Sequence, residues 1–150
     1  MNKTRNNQLI VLADNALRTQ AEARNLGDGI SKILNMENDS IEDAYNGAIA
    51  ALSVAVAMSE LRPALAFYYQ DKKSGAKPKA NRRSVLDVIG RMICSDENAT
   101  DAWRRDISAN GRYAENLLRY SIKHDEPQLK KEVIDCAIAL KQVVRTYNLV

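Results

Sequence analysis

The chain has 150 residues, the size of one ordinary domain, and at that length roughly 70% of the unfolded surface is buried in a single core. Ala, Leu, Ile and Val supply most of its 45% apolar residues, and three prolines with six glycines leave too little turn punctuation for a run of short strands. Twenty-two Lys and Arg against nineteen Asp and Glu give a net charge of +3, so only the placement of the charges can point to a polyanion.

Apolar residues at helical spacing, Ile10, Ala13, Leu17 and Ala21, predict a first helix over 6–26. Gly27 and Gly29 loosen it, and Ile30, Ile33 and Leu34 predict a short continuation over 30–36. Ser40 followed by Asp43 resembles a capping box with Asp in place of Glu, so a helix is expected to start there. From Ala48 to Met58 only Ser53 is polar. A helix apolar all round belongs in the middle of a bundle, which makes this the expected central helix.

Pro63 fits only a first turn, so a tight break falls over 59–62 and a new helix begins near Leu61, carrying Leu65, Phe67, Tyr68 and Tyr69. Leu65 and Phe67 are expected in the core. Ser74-Gly75-Ala76-Lys77-Pro78-Lys79-Ala80 has no apolar period and reads as an exposed basic loop near 74–80. Helix resumes from Asn81 to Cys94, with Leu86, Ile89 and Ile93 on one face.

Ser95 to Ala99 is read as an acidic loop. Thr100 is expected to cap a short helix containing Trp103 and Ile107, ended by Asn110-Gly111. The next helix spans Arg112 to His124, and Asp125 as cap with Pro127 in the first turn opens the last one. Val133, Ala137, Leu140, Val144 and Tyr147 form its seam. The predicted fold is all-α, a compact single-domain bundle of five to seven helices over 1–150.

The search for chemistry is short. One histidine, His124, rules out zinc and di-iron ligand sets and reads as a solvated helix end; no cofactor is expected. Cys94 and Cys136 sit in apolar helical stretches without a neighbouring His and are expected to be reduced and buried. Asp39, Glu42 and Asp43, and Asp96, Glu97 and Asp101, are expected at helix N-termini, where the macrodipole favours carboxylates for structural reasons. Gly27-Asp28-Gly29 lacks the lysine and the preceding strand of a phosphate loop. The expected protein is not an enzyme.

Charge placement is uneven. Lys72, Lys73, Lys77, Lys79, Arg82 and Arg83 are six cations with no acid among residues 72–83. Cations on a loop suit a phosphate backbone, and these six are the candidate nucleic-acid-binding residues. Trp103-Arg104-Arg105 and Arg112, Arg119 and Lys123 are weaker basic features. The N-terminal apolar run is too short for a signal peptide and no stretch approaches the roughly 20 residues of a membrane helix, so a cytoplasmic protein without membrane contact is expected.

The stretch from Met58 to Lys72, with Leu61 after the turn and Ala64-Leu65-Ala66-Phe67 in the helix that follows, resembles the small helical subunit of type III-B CRISPR effector complexes, the Cmr type. The order of elements agrees: an N-terminal helix, an apolar helix, the Ala-Leu-Ala-Phe helix, a basic connection and a long helical C-terminal region with Leu117-Leu118-Arg119-Tyr120. The family's turn glycine is replaced here by Ser59 or Glu60, the proline follows the turn, and Pro127 interrupts the last region. The resemblance implies a non-catalytic subunit of an antiviral ribonucleoprotein that stacks with copies of itself beside the subunits holding the guide RNA. It also implies that the subunit helps hold target RNA, and that other effector subunits are its partners. The alternative from another class is a helical adaptor that binds protein alone, and a third is a small enzyme whose site escapes the sequence.

Overall fold

The computed structural model of the chain describes residues 2–27, 29–70 and 80–150. Helical periodicity becomes seven α-helices among them: α1 (Lys3–Glu22), α2 (Asp43–Ser59), α3 (Leu61–Gln70), α4 (Arg82–Ser95), α5 (Asp101–Ser108), α6 (Tyr113–Lys123) and α7 (Pro127–Val144). The start signals lie in polar side chains. Asn2 accepts from Arg5 N–H, Asn81 from Ser84 N–H and Thr100 from Trp103 N–H, each satisfying an amide that the first turn leaves free. Pro63 stands in the first turn of α3, as its missing N–H requires.

α7 departs from expectation at its start. The residue before the helix is Glu126, not Asp125, and its carboxylate is engaged elsewhere, accepting from Trp103 Nε1 at 3.1 Å and Tyr120 Oη at 2.6 Å. Val133, Ala137, Leu140 and Val144 are buried as the seam predicts, whereas Tyr147 lies past the helix end. At the other end of α5, a 3-10 turn over Ala109–Gly111 carries Asn110 and Gly111 at positive φ, the stop that the Asn-Gly pair predicts.

The predicted helix over 30–36 is not there. Leu34–Asn35 forms a short strand, β1, paired antiparallel with Ser40–Ile41 (β2), which pairs in parallel with Asn148–Leu149 (β3). Side chains of the polar run compete with helical hydrogen bonding: Asn35 Oδ1 accepts from Glu37 N–H at 3.0 Å and Ser40 Oγ donates to Asn38 Oδ1 at 2.6 Å. Ser40 is therefore a strand residue and not a cap, and α2 starts without a side-chain cap.

The second correction concerns the centre. On α2 only Tyr45, Ile49, Leu52 and Val56 are buried, one stripe at spacings of four and three. Gly47, Ala51, Val54 and Met58 face outward, and Met58 is 81% exposed. The central helix is α4, which packs against all six others and buries every residue from Ser84 to Ile93 except Arg91. Gly90 is what lets α6 come close: a Cβ there would lie 2.9 Å from the Tyr113 side chain.

Buried polar groups on α4 are matched from neighbouring elements. Gln20 of α1 donates from Nε2 to Ser84 O at 3.1 Å and to Asp87 Oδ2 at 2.9 Å, while its Oε1 accepts from Ile33 N–H at 2.9 Å. One side-chain amide thus joins α1, the strand region and α4. Such a network favours one arrangement of the helices.

Candidate nucleic-acid interface

The six candidate cations flank the junction between α3 and α4. Lys72, Lys73, Lys77 and Lys79 lie outside the described residues. Arg82 and Arg83 open α4, and the structure gives them different tasks. Arg83 is tied inward: Nε donates to Tyr69 O at 2.5 Å, and its guanidinium lies 4.2 Å from the Tyr69 ring centroid. Gly29, at φ 73°, leaves the room, since a Cβ there would meet Arg83 Nη1 at 2.8 Å.

Arg82 has no carboxylate partner among the described residues. Its guanidinium lies 5.1 Å from the Phe67 ring centroid and 5.8 Å from that of Tyr68. Phe67 was expected in the core and is instead 56% exposed. The reason is its angular position: Leu61, Ala64, Leu65 and Tyr68 occupy the buried stripe of α3 at i, i+3, i+4 and i+7, and position 67 falls off it. A half-exposed ring beside an unpaired guanidinium offers a face for base stacking and a charge for phosphate.

The weaker basic features separate. Arg104 Nε donates to Cys94 O at 3.3 Å, and Arg105 pairs with Asp106 at 3.0 Å. Arg119 and Lys123 share a shallow hollow of about 320 Å³ with His124, Asn116, Tyr120 and Asp106. Arg112 comes instead to a second hollow that Arg83 also lines. Sequence reasoning had no means to bring positions 83 and 112 together.

The groups weighed for catalysis take structural positions. His124 follows α6, exposed, with its ring centroid 4.5 Å from that of Tyr120. Both cysteines are free; Cys136 is buried and Cys94 half-buried, and burial pushes the Cys94 thiol up to about 12, far from a thiolate nucleophile. Asp43 and Asp101 stand in first helical turns as expected. Among the described residues no three His, Cys, Asp or Glu side chains gather as a metal-binding set.

Asp96 differs from its expected place at a helix N-terminus. It follows the end of α4 and pairs with Arg5 of α1, whose Nη2 also lies 2.8 Å from Glu132 Oε1 of α7. Two carboxylates share one guanidinium. Burial and the neighbouring Asp96 carboxylate raise Glu132 to about 7, whereas for Asp96 the hydrogen bonds from Arg5, Glu132 and the Asn98 amide outweigh burial and lower it to about 2. The cluster ties the start of α1, the end of α4 and α7 together.

The chain matches no protein-family model, no curated protein and no solved structure.

Proposed function

We propose that this protein is a non-catalytic small subunit of a type III-B CRISPR ribonucleoprotein, one that stacks with copies of itself and helps hold target RNA. The observation that carries the reading is the turn between α2 and α3. Glu60 adopts φ 74° and ψ 162°, a conformation natural to glycine, directly before Leu61 and the helix that bears Ala64-Leu65-Ala66-Phe67. That is the place where the resembled family has its Gly-Leu turn. Here Lys130 of α7 holds the Glu60 side chain at 2.7 Å.

Two surfaces support the roles. The Phe67 and Arg82 pair, beside a segment with four more lysines, suits sequence-indifferent contact with single-stranded RNA. The outward face of α2, with Gly47, Ala51, Val54 and Met58 beyond the exposed Asp43 of its first turn, suits a protein partner.

That same face favours the second reading, a helical adaptor that binds protein alone. Purification of the tagged chain from its native host separates the two. The ribonucleoprotein reading expects a guide RNA with a uniform repeat-derived end, together with a large polymerase-like subunit. Co-purification of proteins without RNA would assign the chain to the adaptor class. In the purified particle, changing Lys77, Lys79, Arg82 and Arg83 together to Ala is expected to weaken target-RNA binding and flatten its salt dependence.

A further inference from the structure

A cavity of about 360 Å³ opens where α3, α4, the start of α6 and the segment after α1 meet, lined by Asn25, Tyr69, Arg83, Asp87, Arg112 and Tyr113 among others. Among its lining residues Asp87 is 1% exposed. Asp87 Oδ2 already accepts from Gln20 Nε2 at 2.9 Å and Arg91 Nε at 2.8 Å. No described residue donates to Oδ1. That oxygen is open to solvent in the hollow, since Asn6 Oδ1 is the one fully buried side-chain polar atom without a partner among the described residues, and it is an accessible acceptor for a ligand that brings an N–H group.

The walls supply what surrounds such a donor in a nucleotide. Tyr69 and Tyr113 each carry a guanidinium at stacking distance: Arg83, 4.2 Å from the Tyr69 ring, lines the cavity, whereas Arg91, 4.6 Å from the Tyr113 ring, lies behind its lining. Arg112 stands exposed at the rim, with only Glu115 near it at 3.8 Å. An arginine there is free to take a phosphate. The volume falls in the range of small-molecule pockets, which starts near roughly 300 Å³.

We infer that this cavity binds a single nucleotide, its base inward with a ring N–H on Asp87 Oδ1 and its phosphate on Arg112. The ligand is a free nucleoside 5′-monophosphate or one unstacked residue of single-stranded RNA, which offer the same base and phosphate. The site is separate from the Phe67 and Arg82 surface and does not depend on the ribonucleoprotein reading. Burial raises the Asp87 carboxyl above its usual value while Arg91 and Gln20 pull it back, which leaves an acceptor that gains from one further donor.

Asp87→Asn is a sharp probe because its geometry is constrained. Gln20 and Arg91 both donate to the Oδ2 position, so the new amide keeps its oxygen there and turns its NH₂ into the cavity. The acceptor facing the base becomes a donor, at constant size.

The experiment is calorimetric titration of the whole purified chain with guanosine 5′-monophosphate, ribose 5-phosphate as the baseless control, and a short single-stranded oligoribonucleotide. Saturable one-to-one binding of the nucleotide is expected, weakened roughly tenfold or more by Asp87→Asn and by removal of the base. Arg112→Ala, an exposed change that leaves helical circular dichroism intact, is expected to weaken it several-fold. Oligoribonucleotide binding with the same Asp87→Asn dependence would identify RNA as a source, and its absence beside nucleotide binding would identify free nucleotides; either supports the cavity. No saturation at millimolar nucleotide, equal binding of ribose 5-phosphate, or wild-type affinity in both variants would overturn it. If Asp87→Asn loses its helical signal, Arg112→Ala and the baseless control decide.

Discussion

α2 and α4 invert the order their sequences suggest. α2 is apolar at ten of the eleven positions from Ala48 to Met58, yet it buries one stripe and turns Ala51, Val54 and Met58 outward. α4 contains Arg82, Arg83, Asp87 and Arg91, yet it is the helix all others pack against. Burial follows from how many neighbours surround an element, and the one charged residue buried on α4, Asp87, is matched by Gln20 and Arg91, while Arg82 and Arg83 lie at its less buried start. On the proposed reading, the apolar face left outward on α2 serves a protein partner.

The largest effect that would break this comparison is expected on α4. Leu86→Ala, at a fully buried position, should cost about 2–5 kcal/mol in a denaturant melt, and Leu65→Ala on α3 a similar amount. A near-neutral Leu86→Ala would deny α4 its central place. Next comes Gly90→Ala. The added methyl group improves helix propensity but meets Tyr113 at 2.9 Å with its backbone carbonyl at 3.1 Å behind, so a net loss of about 1–3 kcal/mol is expected. A gain in stability would mean that α6 has room to withdraw.

A pH titration sharpens the comparison through the cluster that fastens the end of α4 to α1 and α7. Folded Glu132 keeps its proton to about 7, against an ordinary value of 4.5, so folding takes up a proton between those values. This group therefore lowers stability as pH rises from about 4.5 to about 7, by something of order 1–3 kcal/mol. Asp96 acts the opposite way: its contribution is present above 3.8 and is lost as pH falls toward about 2. Glu132→Gln should flatten the decline on the alkaline side. A wild-type melting curve that rises through that window would contradict the shared-guanidinium arrangement.

The smallest effects belong to the outward surfaces. Val54→Lys on α2 and Phe67→Ala on α3 should each change the stability of the isolated chain by no more than about 0.5–1 kcal/mol. Both should nonetheless impair assembly with partners or RNA. A loss of several kcal/mol at Phe67 would return that ring to the core.

What the sequence made legible, and what it hid, divides by range. Asn81, Thr100 and the Asn110-Gly111 pair mark element ends through bonds to residues at most three or four away, and these boundaries hold to within a residue or so. The strand at Leu34 was hidden because it depends on Ile41 and, through β2, on Leu149 at the far end of the chain. Arg5 meets partners 91 and 127 positions away, a grouping no local pattern contains. Phe67 was a different failure. Its exposure was written in the spacing of Leu61, Ala64, Leu65 and Tyr68, but the apolar character of the ring masked it. At the candidate site only Arg82 and Arg83 lie among the described residues, and the sequence could not tell the arginine held by Tyr69 from the one without a carboxylate partner among those residues.

Gln20 carries a consequence for how the chain folds. Its amide joins the Ile33 amide to Ser84 and Asp87, so the segment leading into β1 has its anchor only once α1 has met α4, across a loop of more than sixty residues. Closing such a loop costs entropy before any contact is gained, which places this junction late and makes it cooperative. The Ile33 amide proton should accordingly exchange with solvent deuterium only when α1 and α4 separate, on the slow timescale of the core helices and not with the turn beside it.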